Sequence, residues 1–149
     1  MEKTINVLIK ESHQIAVEHG WWDKPKTMGE LLVLIHSEVS EALEEHRNGK
    51  EPTETYYSGK STTYFPELEN GDKCTEIFYS KTESEMVFQD AMGEEVIVNK
   101  PEGIPSELAD IVIRVFDICG YYGIDLEAAI EEKMEYNESR PYKHGGKKL

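Results

Sequence analysis

Glu38 and Glu41 stand three residues apart, and Glu107 and Asp110 repeat that spacing further along the chain. Two such pairs, on helices that pack together, could surround a small volume with carboxylate oxygens. Hard oxygen donors suit magnesium, or manganese, which bind a few carboxylates and leave positions for water and substrate phosphates. A cluster of this kind repels itself unless a cation fills it. Acidic pairs three apart ordinarily line a solvated helix face, but each pair here borders an apolar stripe. Leu31, Leu34, Ile35 and Val39 accompany the first; Leu108, Ile111, Val115 and Ile118 accompany the second. At roughly 100° per residue, Glu38 and Glu41 fall within about 60° of each other, on the face of Leu31 and Leu34. The charges are therefore expected to point inward or along the edge of the core. A di-iron centre would need Glu followed by His three residues on, and the sequence has no such pair.

Helical spacing predicts the elements that carry these residues. A first amphipathic helix covers 4–19, with Ile5, Leu8, Ile9, Ile15 and Ala16 on its apolar side and Gly20 as its stop. A second covers about 28–47 and opens on a capping box, Thr27 with Glu30 three residues on. Ser106 opens a third, closed by Gly120 or Gly123, and Asp125 caps a fourth that runs to about Glu138. Between the second and third, residues 53–99 turn to β-branched and aromatic runs: "STTYF", "CTEIFYS", "EMVFQD" and "EEVIVN". "NGD" and "MGE" part some of them as hairpin turns would. The expected fold is a single all-α domain over the 149 residues, a four-helix bundle with a small β-hairpin or flap inserted at about 53–99.

Composition narrows the function. The formal net charge is -14, with 30 acidic against 16 basic residues. Nucleic-acid polymers are held by clustered Lys and Arg, so an acidic ligand here would need a metal bridge. Cys74 and Cys119 have no paired spacing for zinc or redox chemistry and read as inert thiols. The first twenty residues carry charges every few positions, like neither a signal peptide nor a membrane span, and a cytoplasmic protein is expected. Two metal-bearing helices with exposed aliphatic faces are expected to complete their core with another copy, as a homodimer or homotetramer.

"SEVSEALEEHR" followed by "ELADIVIRVFD" resembles the MazG-like all-α nucleoside triphosphate pyrophosphohydrolases, a group that includes dCTP pyrophosphatases. Their signature is Glu-Glu-x-x-Glu on one helix and Glu-x-x-Asp on the next. Ser37 takes the place of the first glutamate, and Glu38, Glu41, Glu107 and Asp110 match the rest. The resemblance implies that these four are the catalytic, magnesium-holding residues. It extends upstream through "HGWWDKPKTMGELLVLIHSE" and downstream through "KMEYNESRPYKHGGK", where relatives place base and phosphate contacts. Trp22, Asp117, Lys133, Asn137 and Arg140 are thereby implied as substrate-binding, with Lys143 and Tyr142 as weaker candidates.

The residues themselves leave alternatives open. Trp21 and Trp22 can stack on a base or staple the bundle; Asp117 can pair with Arg114 on its own helix; the basic tail can be a solvated terminus. Glu45 continues the row of Glu38 and Glu41 and could support the ligands from behind. The implied reaction is magnesium-dependent hydrolysis of a nucleoside triphosphate to monophosphate and pyrophosphate, to clean or tune the nucleotide pool. The family usually joins its two carboxylate helices by a short link, so the insertion at 53–99 is a departure. Rival readings keep the metal site for another nucleotide-like pyrophosphate, or make the chain a non-catalytic acidic module that binds a protein partner.

Overall fold

Short polar side chains start the helices where the chain needs them. Thr4 Oγ1 accepts from the Val7 amide and opens α1 (Ile5–Glu18); Gly20, at φ 78°, follows its end. Thr27 and Glu30 form the reciprocal box at the start of α2 (Met28–Arg47): the Thr27 amide and hydroxyl donate to Glu30 Oε2 at 2.7 and 2.8 Å, and the Glu30 amide donates back to Thr27 Oγ1 at 3.2 Å. Asp125 accepts from the Ala128 amide to begin α4 (Leu126–Glu138). The third helix, α3 (Ile104–Tyr122), starts two residues before Ser106, because Pro105 needs no amide partner in a first turn.

The computed structural model describes residues 3–64, 73–81 and 86–141, so Tyr142 and Lys143 lie outside the described residues. Contacts divide the chain into two compact units, Met1–Ile35 with Val112–Leu149, and His36–Ile111. In the first unit, α1 and the later turns of α3 meet at Gly120, where an added Cβ would lie 2.5 Å from the Cβ of His13. Ile9, Leu31, Ile118 and Cys119 are buried in this unit. Asn6 Nδ2 on α1 donates to Glu127 Oε2 on α4 at 2.5 Å.

The second unit holds the strands. β1 (Tyr56–Tyr64) pairs antiparallel with β2 (Lys73–Ser80), from Tyr57 opposite Ser80 to Tyr64 opposite Lys73. β3 (Met86–Gln89) and β4 (Glu95–Val98) form a separate two-stranded antiparallel sheet. The short β5 (Lys100–Glu102) lies on the other side of β1, with Tyr56 opposite Glu102 and Ser58 opposite Lys100, giving the order β2-β1-β5. Val96 and Val98 are buried while Glu95 and Ile97 are exposed, the period-two alternation of a strand with one covered face. The Phe78 and Phe88 rings stack across the two sheets at 5.5 Å. Asp90 organises the β3–β4 turn: Oδ1 accepts from the Met92 and Glu94 amides at 2.9 Å, and Ser61 donates to Oδ2. These donors hold the Asp90 carboxyl below its usual range.

The all-α four-helix bundle is therefore corrected to a mixed α/β fold, with four helices and five strands in two antiparallel sheets among the described residues. The physical reason is that the β-branched runs do not remain one flap. They build two sheets that bury Val96 and Val98 and half-bury Phe78 and Phe88, joined to the end of α2 and the start of α3 within one unit. No helix among the described residues is long and apolar enough to cross a membrane.

Candidate metal centre

Leu31 and Glu38 are seven residues apart on α2, and both are buried. The second is a carboxylate in the stripe where the first is a leucine. Glu107, in the opening turns of α3, is buried too, whereas Glu41 and Asp110 are exposed. One carboxylate oxygen from each of Glu38, Glu41 and Glu107 lies within 4.8 Å of the others. All three belong to the His36–Ile111 unit.

Electrostatics follow from this crowding. Burial pushes the Glu107 carboxyl up to about 7, and Glu41, Asp110 and Glu102 push it the same way; Lys100 opposes them. Asp110 is thus an electrostatic neighbour of Glu107, although the converging set consists of Glu38, Glu41 and Glu107. Ser37, at the position of the missing signature glutamate, donates to Glu41 Oε1 at 3.4 Å. One turn beyond Glu41, Glu45 accepts from the Tyr56 hydroxyl at 3.0 and 3.2 Å on its two oxygens. Burial and this carboxylate raise the Tyr56 hydroxyl above its ordinary range. The Lys50 ammonium sits 3.9 Å from the centre of the Tyr56 ring, so Glu45 is bound into a local network of its own.

The donor set fits a hard divalent cation. An octahedral magnesium with ligands at about 2.1 Å spaces its oxygens by roughly 3 to 4.2 Å. The three carboxylates bring hard oxygen donors within 4.8 Å of one another. Their charge is what a cation would relieve.

The other candidates lie in the first unit. Trp22 Nε1 donates to Asp117 Oδ1 at 2.9 Å, and His13 Nδ1 lies 2.7 Å from the same atom. The Trp22 indole stacks on Tyr121, centroids 3.9 Å apart and planes 9° from parallel. Trp22 and Asp117 are therefore brought together, with one tryptophan face against a tyrosine. Arg114 lies over the Trp21 ring at 5.2 Å. Lys133 and Arg140 both approach the Tyr136 ring, at 5.0 and 5.7 Å, and Asn137 is the next residue on α4.

Sequence reasoning passed over several residues of the centre. "KPEGIP" reads as a turn-rich return, yet Lys100 and Glu102 form an ion pair at 2.9 Å, and the buried Ser58 donates to the same Glu102 oxygen at 2.6 Å. The available signal was the alternation Lys-Pro-Glu five residues ahead of Glu107. His13 is 104 residues from Asp117, and Tyr121 is nearly as distant from the Trp22 ring that it stacks on, so no local spacing rule pairs them. No family model, curated protein or solved structure matches the chain.

Proposed function

We propose that the chain is a magnesium-dependent nucleoside triphosphate pyrophosphohydrolase of the MazG-like kind, which removes a deoxynucleoside triphosphate from the nucleotide pool. The observation that supports this reading is the convergence of Glu38, Glu41 and Glu107 from two helices, with one carboxylate oxygen of each within 4.8 Å of the others. Glu38, Glu41 and Glu107 would hold the cation, and Asp110 would add negative charge beside it. When bound, magnesium neutralises triphosphate charge and lowers the pKa of a water.

Glu38 and Glu107 are buried and fixed on two helices, so they set the position of the site. Glu41 is exposed and can reach solvent. It orients the attacking water and takes its proton. The water oxygen bonds to the α-phosphorus as the bond from that phosphorus to the αβ-bridging oxygen breaks, and the electron pair leaves on pyrophosphate. The products are a nucleoside monophosphate and pyrophosphate.

Replacing Glu41 by Gln keeps the shape and removes the charge and the proton acceptor. Turnover is expected to fall by about 10²-fold or more, with an unchanged circular dichroism spectrum. Near-normal turnover in E41Q refutes the assignment.

A further inference from the structure

α2 is one uninterrupted helix from Met28 to Arg47, and it carries apolar residues on two sides. The Leu31–Glu38 row is buried; a second row lies in solvent. Met28, Leu32, Val39 and Leu43 are 38 to 53% exposed. At roughly 100° per residue they fall within an arc of about 60°, centred about 100° around the helix from Leu31 and Glu38. The five glutamates of α2 (Glu30, Glu38, Glu41, Glu44 and Glu45) all project from the opposite side, within an arc of about 120°. The exposed stripe is therefore free of carboxylates in a chain of net charge -14. Two copies of such a chain repel each other, and they can approach most readily where neither presents an acid.

The stripe is also symmetric. Met28 and Leu43 lie equally far from the point between Ile35 and His36, and so do Leu32 and Val39. A two-fold axis through that point, perpendicular to the helix, sets Met28 against Leu43 of the partner subunit and Leu32 against Val39 of the partner subunit. Apolar side chains then meet apolar side chains along the whole stripe, the self-complementarity that an isologous interface requires. A membrane surface is the wrong partner, because helices that lie on membranes carry Lys and Arg on their polar face, where α2 has glutamates. We infer that α2 is a dimer interface, on which two copies of the chain pack antiparallel about an axis between Ile35 and His36. The inference stands whether or not the carboxylates hold a cation. The stripe is about 23 Å long, and one helix pair of that length falls at the low end of specific interfaces. The dimer is therefore expected to dissociate on dilution.

Sedimentation equilibrium of the full chain, from low micromolar to submillimolar concentration, is expected to show monomer converting to dimer. L32K and V39E each set like charges against an apolar partner row, and each is expected to weaken the dimer about tenfold or more. L32K does so although it lowers the net charge, so general repulsion is not the cause. V33K places the same charge one residue away, outside the stripe, and is expected to leave association unchanged. In L32K/V39E each introduced lysine faces an introduced glutamate of the partner subunit, and association is expected to recover at low salt. A parallel pair would set lysine on lysine and stay apart. Circular dichroism is expected to be unchanged in every variant, since none of these positions is buried. Monomer at every concentration overturns the inference and leaves the stripe to a different protein. Association that survives L32K and V39E overturns it as well, by placing the contact on another face, and so does a double variant that fails to recover.

Discussion

Burial and neighbouring carboxylates place Glu107 at about 7, against an ordinary value of 4.5. A carboxyl raised in this way keeps a proton in the folded chain that the unfolded chain has already released. Between pH 4.5 and about 7 the folded state therefore binds more protons, and the stability of the metal-free chain falls as pH rises through that window. E107Q cannot lose that proton, so its stability is expected to be nearly flat across the same range. Urea midpoints measured in chelator at successive pH values check this; an equal slope in E107Q and the unaltered chain contradicts it. Metal binding requires the deprotonated form, so Mg2+ affinity is expected to rise as pH passes 7.

At the scale of elements, the close approach of α1 and α3 depends on Gly120. An Ala there would gain up to about 1 kcal/mol of helix propensity. Its Cβ would also meet the Cβ of His13 at 2.5 Å and the Ile9 carbonyl oxygen at 3.3 Å. Neither neighbour is the far end of a flexible chain, so overpacking at about 1–3 kcal/mol is expected to win. Chemical denaturation of G120A should show a net loss of stability, and a gain would contradict the packing described. The elements also show what was legible in sequence and what was not. The Leu31–Glu38 stripe, the Thr27–Glu30 box and the Asp125 cap are local, fixed by period or by three-residue spacing, and each stands in the structure. The two-sheet arrangement depends on approaches such as Gly59 against the Ile97 carbonyl, which no local pattern reveals. β5 was hidden because Pro101 suggests a turn. A proline is tolerated there because β5 pairs with β1 alone, at the end of the order β2-β1-β5. Spacing pointed to Glu38, Glu41, Glu107 and Asp110 together, of which the first three converge and Asp110 does not join them, whereas the Lys100–Glu102 pair needed the strand register to be seen.

For the whole molecule, a net charge of -14 sets the terms on which it can meet another anion. A long phosphate backbone would face diffuse repulsion. A single triphosphate accompanied by divalent cations needs only one place where negative charge is concentrated, and under the proposed function the Glu38, Glu41 and Glu107 set would be that place. The stability of an acidic protein-binding module would respond only weakly to magnesium. A specific site would be stabilised by the ion in proportion to its occupancy. The most direct measurement incubates the purified chain with each common ribo- and deoxynucleoside triphosphate, with and without magnesium, and resolves the products by phosphorus NMR. The account predicts monophosphate and pyrophosphate from at least one triphosphate, only when magnesium is present. Intact triphosphates throughout, or release of orthophosphate instead of pyrophosphate, would contradict it.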